Sequence, residues 1–274
     1  MDKTLFISDL DGTLLNDSAL LSDTTISIIN AIIERGALFT FATARSFSSA
    51  SKITNKLNLR LPVATYNGAF FVSPENGNII EKFDIGKANI VKLIENVLTL
   101  DVFPLVYSII DGAEKVSWLY GSETPGISNY INSRKGDKRL RPVGSISELY
   151  AGDVFYITII GSETHMPAFQ RFISNNPYVS CNLQQDTYQK HEYWLEIYSA
   201  NASKENAVYW LKRYTKAKQV ICFGDNKNDI PMFKVADKAI AVSNAFEELK
   251  IIAHTVIGSN NDSSVAKWIQ ANYF

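Results

Sequence analysis

Short apolar runs alternate with amphipathic segments at the start of the chain. The first run extends over Thr4–Ile7, and a second covers Ala37–Ala42. Between them Ile26, Ile29 and Ile33 lie three and four residues apart, the spacing that places side chains on one face of a helix. The pattern predicts strand, helix and strand, the order that is typical of a parallel sheet with right-handed crossovers.

The last third of the chain repeats this alternation. The predicted elements are a helix over Lys204–Tyr214, a strand over Gln219–Phe223, a short helix over Asn228–Val235, a strand over Ala239–Val242, and helices over Phe246–Ala253 and Ser263–Ala271. The two ends together predict an α/β fold whose core is a Rossmann-like, doubly wound parallel sheet.

The middle of the chain has a different pattern. A hairpin is predicted from Phe70–Ser73 and Ile79–Phe83. Beyond it, two amphipathic helices, Ala88–Leu100 and Met166–Asn175, alternate with aromatic-rich strands. We interpret residues 84–191 as a second α/β module, a cap, inserted into a core domain that consists of residues 1–83 and 192–274.

Composition and charge narrow the class of protein. The 274 residues are 46% hydrophobic and 20% charged, which is ordinary for a globular protein. The chain contains 27 Lys and Arg and 28 Asp and Glu, so its net charge is -1. This balance argues against a protein that coats nucleic acid. The two cysteines, Cys181 and Cys222, have no metal-site or disulfide spacing, and we expect both to behave as small apolar side chains.

One basic cluster runs against this balance. Residues Arg134–Arg141 carry five positive charges, which suggests a polyanion-binding patch. The inserted module as a whole contains 10 Lys and Arg against 11 Asp and Glu, so no wider basic face accompanies the cluster. We therefore interpret it as a solvated charge run.

The chain also lacks the patterns of membrane proteins and secreted proteins. The longest apolar stretch, Val91–Ile110, is interrupted by Lys92, Glu95, Asp101 and Pro104, whereas a membrane helix needs about 20 apolar residues. The sequence MDKTLFISD reaches an acidic residue too early for a signal peptide. We expect a cytoplasmic protein without membrane or nucleic-acid partners, which is a monomer or a weak homo-oligomer.

The strongest chemical motif follows the first predicted strand directly. Asp9-Leu10-Asp11-Gly12-Thr13 places two carboxylates and several backbone N–H groups at one strand end. Open α/β sheets bind their ligands at the carboxyl ends of the strands. The alternative is an Asp-rich turn whose side chains only cap nearby backbone groups.

A second acidic motif follows the predicted strand Gln219–Phe223. Within Gly224-Asp225-Asn226-Lys227-Asn228-Asp229, the two carboxylates of Asp225 and Asp229 are hard oxygen ligands of the kind that Mg²⁺ takes. The alternative is that Asp225 or Asn226 caps the next helix. Two acidic strand ends that face each other would form a cation site that neither could form alone.

Two further polar residues follow predicted secondary structure boundaries. Thr43 comes after the second strand and could donate its hydroxyl to an anionic oxygen, or it could cap a helix. Lys204 stands at a predicted helix start, where its charge opposes the helix dipole. It is either part of a site or an ordinary structural lysine.

Together these residues favour phosphoryl transfer. A carboxylate can act as the nucleophile toward phosphorus and divide a difficult displacement into two steps. A second carboxyl two residues later can exchange a proton with the leaving oxygen and with water. A metal ion, Thr43, Lys204 and loop amides would offset the charge of the phosphoryl oxygens.

The motifs and their order resemble the haloacid dehalogenase superfamily, and more narrowly its Cof-type subfamily with a IIB α/β cap. The segments that carry the resemblance are DLDGTLL at 9–15, Thr43, YNGA at 66–69, Lys204, GDNKNDIPMF at 224–233, AVSNA at 241–245 and NND at 260–262. The cap is similar to that of the subfamily in size and position only.

This resemblance implies a role for each residue of the site. It makes Asp9 the nucleophile and a magnesium ligand, and Asp11 the general acid/base, which also lends its carbonyl to the metal. The phosphoryl group would be held by Thr43, Lys204, Leu10 and Gly12. Asp225 and Asp229 would belong to the metal site, Asp225 as a ligand and Asp229 as a ligand or as a residue that orients the metal shell. Asn228, Arg45 and Asn67 would face or orient the substrate.

The function expected from the resemblance is a Mg²⁺-dependent phosphatase for small phosphate monoesters, with sugar phosphates as the expected class. One alternative is a phosphomutase that uses the same aspartyl-phosphate. The other is a non-catalytic protein that binds phosphometabolites. Receiver domains also cluster acids, a threonine and a lysine, but they are shorter and carry the phosphorylated acid on a later strand.

Overall fold

The protein is described here by a computed structural model, which covers residues 3–99, 102–162, 166–185 and 191–274. The chain forms two compact units. One unit extends to Lys82 and resumes at Ala202–Phe274, and the other is Phe83–Asn201. The chain returns to the first unit at Ala202 rather than at residue 192, because Glu192–Ser199 is a strand in the sheet of the second unit.

The strands of the described residues are short and mostly buried. In chain order they are β1 (Thr4–Ser8), β2 (Leu38–Phe41), β3 (Val63–Thr65), β4 (Phe70–Val72), β5 (Ile79–Lys82), β6 (Leu105–Ile110), β7 (Ala113–Leu119), β8 (Leu140–Val143), β9 (Asp153–Ser162), β10 (Val179–Gln185), β11 (Glu192–Ser199), β12 (Gln219–Gly224), β13 (Lys238–Ala241) and β14 (Thr255–Val256).

The helices lie close to the positions expected from the apolar spacing. In chain order they are α1 (Asp23–Glu34), α2 (Phe47–Thr54), α3 (Lys87–Leu98), α4 (Pro125–Ser133), α5 (Met166–Ser174), α6 (Lys204–Thr215), α7 (Ile230–Val235), α8 (Glu247–Ile252) and α9 (Ser264–Tyr273). Leu100, the predicted end of α3, lies outside the described residues.

The first unit is built on a parallel sheet. Among the described residues its strand order is β14-β13-β12-β1-β2, and every neighbouring pair is parallel. The side chains of Leu5, Phe6 and Ile7 are buried, as expected for a central parallel strand that is covered on both faces. The predicted α/β fold with a parallel-sheet core is confirmed.

The strand order creates a switch point beside β1. The chain leaves β1 toward β2 on one side and later returns to β12 on the other side. The crossovers therefore diverge above the carboxyl ends of β1 and β12, where open α/β sheets form a ligand-binding crevice. The antiparallel strands β3-β4-β5 add the predicted hairpin, and a parallel bridge between Ala42 and Ala64 connects it to the end of β2.

The second unit contains a mixed sheet. Its strand order is β10-β11-β9-β6-β7-β8, and helices α3 and α5 pack on one face through an apolar cluster that includes Leu93, Ile157 and Phe169. The sequence pattern predicted two helices here, but the structure adds α4, whose Tyr130 hydroxyl lies 3.0 Å from that of Tyr107 on β6.

Two of the five basic side chains in the run Arg134–Arg141 have acidic partners. Arg139 forms ion pairs with Glu114 and Asp137, each at 2.7 Å, and Arg141 lies 3.9 Å from Glu148. The side chain of Arg134 stacks over the ring of Tyr130. These contacts support the interpretation of this segment as a charge run with local partners rather than as a polyanion-binding patch.

Two other expectations concern cysteine and the membrane. Cys222 is buried in β12 and Cys181 is half-buried, and both are free thiols. Burial raises the pKa of the Cys222 thiol, as expected for an apolar role. In the described part of the chain, none of the helices has both the length and the apolar character required to cross a bilayer.

Candidate active site

The strand register brings the predicted site residues together at one edge of the sheet. Ser8, the last residue of β1, lies opposite Phe41 of β2 and Phe223 of β12. The residues that follow these three positions therefore leave the sheet at the same level. They include Asp9 and Asp225, which follow β1 and β12 at the switch point.

The loop after β1 is fitted against the loop after β12. The Thr13 hydroxyl donates to Asp225 Oδ1 at 2.8 Å. Gly12 has a φ of 72°, and a Cβ at this position would collide with the Asp225 carboxylate. The carbonyl of Gly12 accepts a hydrogen bond from Asn244 Nδ2 at 2.8 Å. Gly12 is thus required both by its conformation and by the close approach of Asp225.

Lys204 lies at the centre of the site. Its ammonium group is 2.7 Å from Asp9 Oδ1 and 2.6 Å from Asp229 Oδ1, and its side chain is fully buried. Lys204 is the first residue of α6, and Ser203 caps that helix by accepting from Asn206 N. The two carboxylates compensate the unfavourable position of a cation at a helix start.

Asp229 has further partners besides Lys204. Its Oδ2 accepts from the backbone N–H groups of Asp225 and Asn226, each at 3.0 Å. Both of its carboxylate oxygens are therefore engaged, one by an ammonium group and the other by the loop after β12. This arrangement fixes the loop that carries Asp225.

Burial and repulsion between charges raise the proton affinity of the Asp9 and Asp225 carboxylates. The pKa of Asp9 is raised well above its ordinary value, mainly by burial, while the Lys204 ammonium acts in the opposite direction. Burial, with the nearby charge of Asp229, raises the pKa of Asp225 to about 6. The two carboxylates that flank Lys204 raise its pKa against the effect of burial, so this side chain is a cation at neutral pH.

The charges of the site do not balance within the described residues. Ligand oxygens of Asp9, Asp225 and Asp229 lie within 4.8 Å of one another, whereas Lys204 supplies one positive charge among them. Three carboxylates and one ammonium leave two negative charges. Carboxylate oxygens at this spacing fit a hard divalent cation such as Mg²⁺.

Asp11 forms an ion pair with Arg45. Arg45 Nε and one terminal nitrogen each donate to a different oxygen of Asp11 at 2.6 Å. The other terminal nitrogen of Arg45 donates to Ser49 Oγ. The Asp11 side chain is half-exposed, so this two-pronged ion pair determines its orientation.

Thr43 is buried in the loop after β2. Its hydroxyl accepts from the backbone N–H of Arg45 at 3.2 Å, and among the described residues no acceptor takes its own proton. Helix α2 begins later and is capped by Ser46, so Thr43 is not a helix cap. Its hydroxyl remains available to a ligand.

Asn67 and Asn228 meet beside Thr43. The side chain of Asn228 donates through Nδ2 to Asn67 Oδ1 at 3.3 Å. Asn67 has a φ of 54° and follows Tyr66, which also has a positive φ. The Asn67-Gly68 turn connects β3 with β4. It is therefore a tight turn between two antiparallel strands.

Thr13 and Asn244 also contribute to the site, although the motifs predicted no role for either residue. Thr13 belongs to the DLDGT motif and Asn244 to the AVSNA segment, so both occurred in segments already noted. Thr13 bonds Asp225 and Asn244 bonds Gly12, each across more than 200 residues of sequence. Only the fold reveals such partners.

Comparison with known proteins extends these observations to the whole chain. The sequence pattern of the haloacid dehalogenase-like hydrolases matches residues 6–269. The 5-amino-6-(5-phospho-D-ribitylamino)uracil phosphatase YitU of Bacillus subtilis is 25% identical over 98% of this chain and 97% of its own length. The pyridoxal phosphate phosphatase YbhA of Escherichia coli is 23% identical over 99% of each chain.

Solved structures agree with this assignment. A crystal structure of a Thermotoga maritima protein superposes with a TM-score of 0.80 at 26% identity, covering 100% of this chain and 98% of the other. The names of the relatives agree with the expectation of a phosphoric monoester hydrolase. The family pattern confirms the resemblance drawn from the motifs: the chain belongs to the haloacid dehalogenase-like hydrolases.

Proposed function

We propose that this chain is a Mg²⁺-dependent phosphatase that hydrolyses small phosphate monoesters through an aspartyl-phosphate on Asp9. The observation that supports the proposal most strongly is the environment of Asp9 at the switch point. One of its oxygens is bonded to the buried Lys204, while its Oδ2 has no hydrogen-bond partner among the described residues. That second oxygen is available to attack phosphorus.

In the first step an Asp9 oxygen forms a bond to phosphorus, and the bond between phosphorus and the ester oxygen breaks. The electron pair passes to the leaving oxygen, which takes a proton from Asp11. In the second step water attacks phosphorus and transfers a proton to Asp11, and the Asp9–phosphorus bond breaks. The Asp9 carboxylate and inorganic phosphate result.

The remaining residues bind and orient the phosphoryl group. Lys204 contributes a buried positive charge beside Asp9, and Thr43 contributes a hydroxyl proton that no described residue accepts. The backbone N–H groups of Leu10 and Gly12 belong to the loop that follows the nucleophile. Donors fixed before substrate binds stabilise the developing charge without reorganisation.

Asp9 and Asp225, with the backbone carbonyl of Asp11, would hold Mg²⁺ when it is bound. The ion would offset the charge of the phosphoryl oxygens during both steps. We assign Asp229 to orienting Lys204 and the Asp225 loop rather than to direct ligation, because both of its oxygens already accept hydrogen bonds.

Sugar phosphates are the substrate class we expect, and two relatives widen the set to be tested. Their names give a ribitylaminouracil phosphate and pyridoxal phosphate as substrates of those proteins. All three are monoesters of an alcohol carried by a polar ring or a polyol. We expect the chain to act on this class of monoester.

The test is a screen with purified protein over sugar phosphates, pyridoxal phosphate and an aryl phosphate, with Mg²⁺ added or removed by EDTA. Release of inorganic phosphate that needs Mg²⁺ and is lost in Asp9→Asn is the expected result. Formation of a sugar phosphate isomer without free phosphate would support a phosphomutase instead. The absence of any turnover would contradict the proposal.

A further inference from the structure

The loop after β13 contacts the loop of the candidate metal ligand Asp225 through its backbone. Val242 N donates to the carbonyl of Gly224 at 3.3 Å, and Phe246 N donates to that of Asp225 at 2.8 Å. These two hydrogen bonds fix residues 242–246, which we call the β13 loop, against the end of β12.

Asn244 connects the β13 loop to the loop after β1. Its side chain is exposed, yet both ends of its amide are hydrogen-bonded. The Nδ2 group donates to the carbonyl of Gly12 at 2.8 Å, and Oδ1 accepts from Asn260 N at 3.0 Å. Holding an exposed amide at both ends costs conformational entropy, which an exposed asparagine in water does not lose. Asn244 therefore acts as a bridge between three segments of the first unit.

Asn260 anchors this bridge at the far end of the same turn. Its side chain is buried, and its Nδ2 group donates to the carbonyl of Leu15 at 3.0 Å and to Asp17 Oδ1 at 3.1 Å. The turn after β1 is therefore held at Gly12 by Asn244 and at Leu15 by Asn260. Both asparagines come from the last part of the chain, more than 200 residues after the turn.

The conformation of the turn connects Asn244 to Asp225. Asp11 has a φ of -69° and a ψ of 125°, and Gly12 has a φ of 72° and a ψ of -3°, the values of a type II turn. The carbonyl that Asn244 holds belongs to the peptide unit between Gly12 and Thr13. Because a peptide unit is planar, its orientation fixes the start of Thr13, whose hydroxyl donates to Asp225 Oδ1 at 2.8 Å.

We propose that Asn244 is a positioning residue for the candidate metal site. By holding the Gly12 carbonyl it keeps the Thr13 hydroxyl on Asp225, and so fixes the orientation of the Asp225 carboxylate toward a divalent cation. The inference rests on the proposed Mg²⁺-dependent function. It makes metal affinity, rather than binding of the phosphate ester, the property that Asn244 controls.

The experiment measures binding of Mn²⁺ to the full chain without substrate, because Mn²⁺ takes the same oxygen ligands as Mg²⁺ and its free form is counted by electron paramagnetic resonance. Asn244→Ala should weaken Mn²⁺ binding about 3- to 10-fold, the effect of losing one hydrogen bond. The Mg²⁺ concentration for half-maximal hydrolysis of an aryl phosphate should rise by a similar factor, while kcat at saturating Mg²⁺ stays close to that of the wild type. Thermal denaturation in EDTA checks that each variant is folded.

Two further variants separate positioning from added charge and from general loosening of the loops. Asn244→Asp keeps the acceptor for Asn260 N but replaces the donor to Gly12 with an acceptor, so it should weaken Mn²⁺ binding although it adds a negative charge. Asn261→Ala is the matched control, because Asn261 is also exposed and its amide also forms two hydrogen bonds, both to Asp17, at 2.9 and 3.1 Å. It should bind Mn²⁺ as the wild type does. Tighter binding by Asn244→Asp, or an equal loss in Asn261→Ala, would overturn the proposal.

Thr13→Val tests the route through which Asn244 acts. It removes the hydroxyl from Asp225 and keeps the shape of the side chain, and loss of a residue that hydrogen-bonds a metal ligand lowers metal affinity about 10- to 100-fold. In this background Asn244→Ala should cause little further loss. Equal losses in both backgrounds would show that Asn244 does not act through Thr13 and would overturn the proposal.

The result distinguishes this inference from the proposed function. If the wild-type chain binds Mn²⁺ and hydrolyses phosphate esters, and Asn244→Ala binds Mn²⁺ as tightly as the wild type, the role of Asn244 is overturned and the proposed function stands. If the wild-type chain binds no Mn²⁺ and hydrolyses no phosphate ester, the proposed function itself fails, and this inference fails with it.

Discussion

The ammonium group of Lys204 lies 2.7 Å from Asp9 Oδ1, although 195 residues separate the two in the sequence. Both side chains are buried, and Asp229 binds the same ammonium group from the other side. A buried carboxylate is unfavourable without a nearby cation, so folding and chemistry depend on the same contact. The ion pair fixes the nucleophile and places positive charge where a phosphoryl group would bind.

Replacement of Lys204 by methionine should destabilise the protein strongly. Asp9 and Asp229 would remain buried without their cation, which costs about 3–5 kcal/mol in comparable cases. We expect urea denaturation at pH 7 to show a loss of this size, and the loss should shrink at acid pH as the Asp9 carboxylate takes up a proton.

Lys212→Met is the matched control for this experiment. Lys212 lies on the same helix and pairs with Asp237 at 2.9 Å, but both side chains are more than a third exposed. Exposed ion pairs contribute about 0–1 kcal/mol, so this variant should be nearly as stable as the wild type. Equal stability of Lys204→Met and Lys212→Met would contradict our description of the buried pair.

Asp225 should make the metal-free protein sensitive to pH. Its pKa of about 6 in the folded protein exceeds the ordinary value of about 3.9 expected in the unfolded chain. The folded state therefore holds this proton more tightly, and the contribution of Asp225 to stability is lost as pH rises from about 4 to 6. In EDTA, Asp225→Asn should be as stable as the wild type near pH 4 and more stable at pH 7, measured by thermal denaturation.

Mg²⁺ should reverse this difference at neutral pH. The deprotonated Asp225 carboxylate is a metal ligand, whereas the protonated form is a poor one. We expect Mg²⁺ to raise the Tm of the wild-type protein at pH 7, to have little effect near pH 4, and to leave Asp225→Asn unchanged. Equal stabilisation of the variant at pH 7 would remove Asp225 from the metal site.

Arg45 should affect the reaction through Asp11. The two hydrogen bonds of 2.6 Å orient a side chain that is otherwise half-exposed. An alkoxide is a stronger base and a poorer leaving group than an aryl oxide, so it needs a proton from Asp11 far more. Where such a proton is needed, general acid catalysis contributes about 10²–10⁴-fold. Arg45→Met should therefore lower kcat/KM more for an alkyl phosphate than for an aryl phosphate.

Two controls separate this role from direct binding of the substrate by Arg45. Arg45→Lys keeps the positive charge but cannot form both hydrogen bonds to Asp11, so its activity should lie between that of Arg45→Met and that of the wild type. In an Asp11→Asn background, Arg45→Met should cause little further loss. An equal rise in KM for both substrates, independent of Asp11, would show that Arg45 binds the phosphate ester instead.

The sequence predicted those parts of the molecule that depend on local pattern. Apolar spacing located α1 and the strands around Asp9 and Asp225, because a buried strand followed by acidic residues is a local feature. Helix α4 was missed, since it begins with Pro125-Gly126, a pair that is typical of turns. Thr124 caps this helix by accepting from Ile127 N, and Pro125 suits a first turn.

The partners of the site residues could not be predicted in the same way. Arg45 was expected to face or orient a substrate, and its two hydrogen bonds to Asp11 could not be predicted from the sequence. Lys204 was judged by its position at a helix start, which gives no information about the two carboxylates that bind it. These pairs join distant segments, and their geometry follows from the register of β1 with its neighbours.

The most direct test of the central claim is chemical trapping of the phosphorylated nucleophile. Asp11→Asn should slow hydrolysis of the intermediate, because no carboxylate is then available to take the proton from water. After brief reaction of this variant with an aryl phosphate and Mg²⁺, borohydride reduces an aspartyl-phosphate to homoserine, which mass spectrometry of the peptide that contains residue 9 detects. Homoserine at position 9, absent when substrate is omitted, is the result we predict. Turnover without any reduced residue, or reduction at another aspartate, would contradict Asp9 as the nucleophile.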